Sequence, residues 1–179
     1  MAQKMKDYFN SDTAQKLGTQ LGIDGAEYAA WVAPRIEELE ILDRVTVFAQ
    51  GLRERLDGDY VGVVDGVVDK LGPELAEGEG YVNHAFHLWP VSRFIELYGL
   101  DEPEVSLDAI EALTRAFTGE FAVRPFLERY PELTMSRVNQ WADSDSHNVR
   151  RLALGGQRGP ARGLGGGTGV TRVDQARPQ

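Results

Sequence analysis

The chain has 179 residues, of which 42% are hydrophobic and 26% charged, with a formal net charge of −9 and no cysteine. This length predicts one domain that can bury a stable core without cross-links, and the lack of cysteine excludes disulfides, thiol catalysis and cysteine-ligated zinc. The negative charge taken alone argues against a nucleic-acid binder, because phosphate contacts need clustered Lys and Arg.

The charge is distributed unevenly along the chain. Residues 154–179 hold four arginines against one aspartate, a net charge of +3, which leaves −12 for residues 1–153. The same segment holds eight of the 20 glycines, and such a composition cannot bury enough apolar surface to offset its chain entropy. We therefore predict a helical repeat domain over 1–153 and a Gly/Arg-rich disordered tail over 154–179. The sequence shows no export signal and no apolar stretch that spans a bilayer, so we expect a cytoplasmic protein.

Apolar residues recur at helical spacing from the start of the chain. Ser11-Asp12 is predicted to cap a first helix and Asp24 to open a second. Pro34 suits the first turn of a helix, and apolar residues recur every three or four positions after it as far as Leu56. This region is predicted to be one long amphipathic helix.

The middle of the chain continues the pattern. The valines of residues 60–71 leave a strand open, but their spacing fits a helix better than strict alternation. The polar segment 74–83 is predicted to be a loop, and residues 88–97 a helix. Ser106 is predicted to cap the next helix.

The helix after Ser106 carries apolar residues as far as Phe121, and Pro125 is predicted to kink or break it, because proline lacks the backbone N–H. Two shorter helices are predicted over 132–141 and 147–153. With no strand pairs or hairpin signals, the pattern predicts an all-α fold. An α-solenoid of HEAT-like helical repeats fits it, with a plain helical bundle as the alternative.

Two charged residues in the second half of the chain are candidates for chemistry. Glu120 and Arg124 are four positions apart, so they are expected to share one face of a helix. Glu120 is then a candidate active-site carboxylate, with Arg124 beside it to hold a phosphate or orient the acid. A surface ion pair with no catalytic role is the alternative.

A second polar segment follows Trp141, which is expected to be a core residue rather than a platform for a nucleic-acid base. Asp143 to Asp145 is predicted to form a turn and a helix cap. The adjacent Arg150 and Arg151 point in different directions on the helix that follows, so one can contact a DNA backbone while the other packs or caps.

The histidines do not form a metal site by spacing. His84 and His87 are three apart, but no third ligand lies at a useful distance along the chain, so we expect no metal. No P-loop, dinucleotide fingerprint or GxSxG motif is present, and Gly165-Gly166-Gly167 follows no predicted strand. Phosphate-cradle and serine-hydrolase chemistry therefore have no support in the sequence.

Residues 4–153 resemble the AlkC branch of the HEAT-like-repeat alkylpurine DNA glycosylases. The resemblance rests on Phe117-Thr-Gly-Glu-Phe-Ala-Val-Arg-Pro-Phe126 followed by His147-Asn-Val-Arg-Arg-Leu-Ala153, and Trp89-Pro-Val-Ser-Arg-Phe94 and Lys6-Asp-Tyr-Phe-Asn10 also fit it. The separation of the first two motifs makes them specific together, whereas either alone is weak.

This resemblance implies a solenoid whose concave face holds double-stranded DNA. It implies excision of cationic alkylated bases such as 3-methyladenine and 3-methylcytosine, by hydrolysis of the N-glycosidic bond and without a cofactor. Glu120 matches the family's active-site glutamate, and Arg150 and Arg151 match an arginine pair on the DNA-facing surface. Arg124 and His147, which belong to the same two motifs, are assigned to DNA binding, and the protein is expected to be a monomer.

The sequence then departs from the family. Gly155 stands where the family has its second active-site glutamate, and the later family motifs are missing. We interpret the change as a truncated or frame-shifted chain with impaired catalysis. Two alternatives are a non-catalytic HEAT-like scaffold that binds protein or DNA, and an acidic helical domain whose Glu120–Arg124 pair is structural.

Overall fold

A computed structural model describes residues 4–156. Its α-helices are α1 (Ser11–Leu21), α2 (Gly25–Ile36), α3 (Ile41–Arg55), α4 (Tyr60–Val68), α5 (Tyr81–His84), α6 (Trp89–Tyr98), α7 (Pro103–Ala116), α8 (Val123–Arg129), α9 (Pro131–Trp141) and α10 (His147–Gly156). Met5–Tyr8 and Phe86–Leu88 are 3-10 helices. No residue from 4 to 156 lies in a strand, which confirms the predicted all-α class. Beyond Gly156, the predicted tail lies outside the described residues.

The helices stack as successive pairs. Helices α1 and α2 form the first pair, α3 packs against α2 and α6, and α4 packs against α7. Helix α9 then pairs with α8 and α10, and α10 returns to α7. Each helix thus contacts its neighbours along the stack, as in an α-solenoid. Between residues 4 and 156, no helix is long and apolar enough to cross a membrane.

One hydrophobic core runs through the stack. Trp141 is 1% exposed, and its indole Nε1 donates to Glu111 Oε2 at 2.9 Å, which confirms it as a core residue. At the other end Phe9 is fully buried, with its ring 5.6 Å from that of Phe48 and 6.0 Å from that of Trp89. These edge-to-face contacts fasten the N-terminal segment to α3 and α6.

The first two helices begin at polar caps. Asn10, rather than Ser11-Asp12, caps α1, because its Oδ1 accepts from the backbone N–H groups of Asp12 and Thr13 at 3.0 Å. Asp24 caps α2 as predicted. The error of one residue at α1 arises because three consecutive residues there are all good caps, and only the backbone geometry selects among them.

The break before α3 is stabilised by a buried arginine. Pro34, predicted to start the long helix, lies inside α2 near its end, and α3 starts only at Ile41, so this prediction was wrong. Arg44 is 8% exposed. Its guanidinium donates at 2.9 to 3.2 Å to four backbone carbonyls, those of Leu39, Glu37, Lys6 and Phe9. The bonds to Glu37 and Leu39 satisfy carbonyls in the break between α2 and α3, and those to Lys6 and Phe9 join the break to the N-terminal segment.

Two further assignments concern α4 and α7. The valine-rich segment is a helix, α4, with Val63, Val64 and Val67 buried on one face, which excludes the strand. Ser106 lies inside α7, which starts at Pro103, so its prediction as a cap was wrong. Its Oγ donates to the carbonyl of Gly99 at 2.8 Å, and Pro103 starts the helix because proline suits a first turn.

A buried histidine joins three segments of the first half of the chain. His87 is 6% exposed, and its Nε2 lies 2.9 Å from Oε1 of Gln20. The amide nitrogen of Gln20 donates to the carbonyls of Lys70 and Leu71, so Oε1 is an acceptor and Nε2 carries the hydrogen. Burial, and to a smaller extent the charge of Lys16, lowers the pKa of His87 to about 4.

The folded state is therefore expected to lose stability between pH 6.5 and pH 4. The unfolded chain binds a proton at His87 near pH 6.5, whereas the folded chain does not until about pH 4, so the contribution is complete above pH 6.5 and is lost on acidification. The effect amounts to at most about 3 kcal/mol. Urea unfolding at pH 7.0 and 4.5 measures it, and the His87→Gln variant should show a smaller difference between the two pH values. An equal difference in both proteins would contradict the assignment.

Candidate functional site

Glu120 lies on a short loop that is anchored on both sides. Helix α7 ends at Ala116 and α8 begins at Val123. In between, Thr118 is 2% exposed, and its Oγ1 accepts from the backbone N–H of Glu120 at 3.3 Å. The side chain of Glu120 itself is exposed. A buried, hydrogen-bonded loop thus presents one carboxylate to solvent.

Gly119 places this loop against α7 and α10. A Cβ atom at Gly119 would lie 2.5 Å from Thr114 Oγ1, 2.6 Å from Ile110 Cγ2 and 3.1 Å from Leu152 Cδ2. The first two distances are shorter than real Cβ atoms tolerate, so only glycine allows this approach. The contact with Leu152 places the backbone next to Glu120 directly against α10.

Glu120 and Arg124 do not share a helix, so that expectation was wrong. Arg124 and Pro125 lie in the first turn of α8, where proline is tolerated because its nitrogen needs no helical partner. Within residues 4–156, Glu120 and Arg124 form no ion pair with each other, and both side chains are exposed. The guanidinium of Arg124 instead lies 6.0 Å from the centre of the Phe121 ring. The predicted break at Pro125 occurs earlier, at the end of α7.

The turn before α10 is held by polar contacts. Asp143 to Asp145 form the predicted turn, but Ser146 provides the cap, since its Oγ accepts from the backbone N–H of Val149 at 3.3 Å. Arg115 of α7 donates to Asp145 at 2.7 Å, which lowers the pKa of that carboxyl. The start of α10 is therefore fastened to the end of α7.

The three predicted DNA-binding residues of α10 have different surroundings. Arg150 donates through Nη1 to the carbonyls of Ser144 and Asp145 at 2.7 and 2.9 Å. His147 is half-exposed, and its Nδ1 lies 3.5 Å from Glu77. Arg151 is exposed, and within residues 4–156 it makes no side-chain hydrogen bond or ion pair. Of the two arginines, Arg150 caps the turn and Arg151 is available to a ligand.

This difference predicts that alanine substitutions at the two arginines affect different quantities, stability at Arg150 and DNA affinity at Arg151. Arg150→Ala is expected to lower the free energy of unfolding by about 1 kcal/mol, since two carbonyls lose their donor. Arg151→Ala is expected to leave stability within about 0.5 kcal/mol but to weaken binding of duplex DNA. Urea unfolding and fluorescence anisotropy measure the two quantities. Equal losses of DNA affinity in both variants would contradict the assignment.

Helix α6 contributes three residues next to the Glu120 loop, although the sequence did not single them out as site residues. Phe121 stacks on Trp89, with ring centres 4.9 Å apart and planes 25° apart. Arg93 donates to Glu96 at 2.7 Å. Burial raises the pKa of Glu96, while the Arg93 hydrogen bond and the charges of Arg93 and Arg124 lower it. The spacing of Trp89, Arg93 and Glu96, at i, i+4 and i+7, was a signal that they share one helix face.

Gly155 lies within α10, one turn beyond Leu152. It is exposed, and a Cβ atom placed on it would meet no described atom within 4 Å. Residues three apart lie on the same face of a helix. Gly155 therefore lies on the same face of α10 as Leu152, the residue that contacts Gly119 of the Glu120 loop. The backbone thus has room for a side chain at this position.

The described residues contain no group of three or more His, Asp or Glu arranged to hold a metal ion. His84 is exposed and His87 is buried, so the two do not converge on one site.

Comparisons with known proteins identify the fold. The chain matches the structure of Pseudomonas fluorescens alkylpurine DNA glycosylase AlkC bound to DNA containing an abasic site analog, with a TM-score of 0.72 and 21% sequence identity over 84% of this chain and 41% of that chain. This match confirms an AlkC-type fold, an α-solenoid of HEAT-like repeats. An uncharacterized Bacillus subtilis protein, YhaZ, is 42% identical over 65 residues, which cover 36% of this chain and 18% of YhaZ. The chain thus spans less than half the length of either protein. No family model matches the sequence.

Proposed function

We propose, from the fold that it shares with the alkylpurine DNA glycosylase AlkC, that this chain acts in DNA alkylation repair. The proposed reaction is hydrolysis of the N-glycosidic bond of cationic alkylated bases, of the 3-methyladenine and 3-methylcytosine type, in double-stranded DNA. The observation that carries the proposal is the placement of Glu120, an exposed carboxylate on a loop that Gly119 seats against α10. We propose that the protein acts as a monomer in the cytoplasm.

The proposed reaction can proceed with one carboxylate from the protein. An N-alkylated base is already positively charged, so the electron pair of the breaking C1′–N bond neutralises it as it leaves. A water oxygen then bonds to C1′, and its proton passes to a carboxylate. We assign to Glu120 the stabilisation of the cationic sugar and the orientation of that water. Its freedom from an ion pair with Arg124 supports this role, because its charge is not neutralised by that neighbour.

We assign contact with the DNA backbone to three side chains near the Glu120 loop and on α10. Arg124 and Arg151 are exposed, and His147 is half-exposed at the start of α10. We propose that these three contact phosphates, whereas Arg150 shapes the turn that positions them. Residues 1–153 carry a net charge of −12, so in this proposal attraction to DNA comes from these side chains rather than from the overall field.

A second candidate is a non-catalytic scaffold that binds protein or DNA. The observation that favours it is Gly155, which leaves α10 without the carboxylate expected at that position. Loss of one of two carboxylates lowers the rate of catalysis that relies on both, so the first proposal includes impaired excision.

One experiment separates the two candidates. Release of methylated bases from alkylated duplex DNA is measured for the wild type, for Glu120→Gln and for Glu104→Gln, which removes an exposed carboxylate at the start of α7. The enzyme proposal expects slow release that is abolished by Glu120→Gln and unchanged by Glu104→Gln. Salt-sensitive DNA binding without release by any of the three would support the scaffold. Neither binding nor release would overturn both proposals.

A further inference from the structure

Two arginines outside α10 flank the stacked rings of Trp89 and Phe121, since Arg93 follows Trp89 by one turn of α6 and Arg124 lies 6.0 Å from the centre of the Phe121 ring. Helix α6 carries Arg93 and Glu96 on the face that lies next to Phe121, since Phe121 stacks on Trp89 of the same helix. Arg124 follows Phe121 in the first turn of α8. We call Arg93, Glu96 and Arg124 the α6–α8 cluster. Its net charge is +1, which matches the single negative charge of a phosphodiester.

Arg93 is held in one orientation. Its Nη1 donates to Oε2 of Glu96 at 2.7 Å, and its Nε donates to Oγ1 of Thr46 on α3 at 3.0 Å. The remaining nitrogen, Nη2, has no hydrogen-bond partner within residues 4–156, and 24% of the side chain is exposed. A guanidinium fixed on two sides with a free edge has already lost the side-chain freedom that ligand binding would otherwise remove.

Arg124 is held less tightly but by the same cluster. Its guanidinium lies 6.0 Å from the Phe121 ring, within the range of a cation–π contact. Its charge acts on Glu96, whose side chain is 14% exposed. Glu96 is hydrogen-bonded to Arg93 and is within range of the charge of Arg124, so its carboxylate opposes the mutual repulsion of the two arginines.

We propose that Arg93 and Arg124 clamp one backbone phosphate of duplex DNA next to Glu120, and that Glu96 is the positioning residue of this clamp. The proposal rests on the proposed function only in naming DNA as the ligand. The free Nη2 of Arg93 and the guanidinium of Arg124 can each donate to one of the two free oxygens of a phosphodiester. The clamp extends the proposed DNA surface from α8 to α6.

The first test distinguishes a phosphate contact from a strut between α3 and α6. Binding of a duplex with an abasic-site analogue is measured by anisotropy at several salt concentrations for the wild type, Arg93→Gln and Arg93→Lys. Loss of one contact is expected to make the slope of log K against log salt shallower by about one for Arg93→Gln, with most of the slope restored by Arg93→Lys. An unchanged slope with a lowered melting temperature would show a strut and overturn the proposal.

The second test uses the sign of the effect at Glu96. Glu96→Gln removes a negative charge next to the proposed DNA, so long-range electrostatics alone would tighten binding. The clamp predicts the opposite, a loss of about 3-fold or more, because the arginines lose the carboxylate that holds them. Glu104→Gln, which removes an exposed charge on α7, serves as the control and should bind equally or more tightly. Tighter binding by Glu96→Gln would overturn the positioning role.

These results also separate the clamp from the repair activity. Weakened binding by Arg93→Gln in a protein that releases no base would support the clamp and leave the excision proposal without support. Base release with an unchanged salt slope in Arg93→Gln would support excision and overturn the clamp. A wild-type chain that binds no duplex at low salt would overturn the clamp as well.

Discussion

The substitution Gly155→Glu is expected to raise the rate of alkylated-base release about 100-fold or more. A positioned carboxylate contributes roughly 100- to 10,000-fold to such a reaction, and α10 has space for one at this position. Gly155 lies one turn beyond Leu152, which touches the loop of Glu120. Replacing an exposed helical glycine also stabilises the helix by about 0.5–1 kcal/mol, so the variant is expected to fold.

The control for this prediction keeps the shape and removes the charge. Gly155→Gln introduces the same number of side-chain atoms without a carboxylate and should leave the rate near that of the wild type. The double variant Gly155→Glu with Glu120→Gln tests whether the gain depends on the first carboxylate. Equal rates for Gly155→Glu and Gly155→Gln would show that the new side chain takes no part in the chemistry.

Gly119→Ala is expected to lower the free energy of unfolding by about 2–3 kcal/mol. The added methyl group would lie 2.5 Å from Thr114 Oγ1 and 2.6 Å from Ile110 Cγ2, and both residues are at most 1% exposed. Overpacking of this kind costs about 1–3 kcal/mol. Because the loop must move away from α7 to relieve the clash, base release should fall together with stability.

Gly66→Ala provides the opposite result in the same chain. Gly66 lies inside α4, and a Cβ atom there meets nothing within 4 Å, so the substitution should stabilise the protein by up to about 1 kcal/mol through helix propensity. Urea unfolding of both variants gives the comparison. A neutral or stabilising effect of Gly119→Ala would mean that the loop is not seated as described.

The presence of most helices followed from the sequence, whereas several boundaries did not. Helical spacing of apolar residues identified α1, α2, α4 and α6, because burial of one face is a local pattern. The start of α3 depends on Arg44, whose donors reach Lys6 and Phe9 far back along the chain. Such distant contacts leave no local signal, so Pro34 was assigned to the wrong helix.

The candidate site was predicted in part. Glu120 and Arg124 were found through their motif, but their shared helix was inferred from spacing that takes no account of Gly119. The close approach of Gly119 to α7 ends the helix before Glu120, and only the packed structure reveals it. The roles of Arg150 and Arg151 differ because of the turn at Ser144, although their adjacency already required different directions.

The ring of Phe9 restrains the Glu120 loop through two further aromatic rings. Phe9 contacts Trp89, and Trp89 stacks on Phe121, which directly follows Glu120. Three aromatic rings thus connect a residue near the start of the chain to a loop more than 100 positions later. Each contact adds about 0.5–1.5 kcal/mol beyond burial, so the rings restrain the thermal motion of the loop. The amide of Val123 donates to the carbonyl of Gly119 at 3.0 Å, and its protection against hydrogen exchange is therefore expected to fall when Phe9 is replaced by leucine.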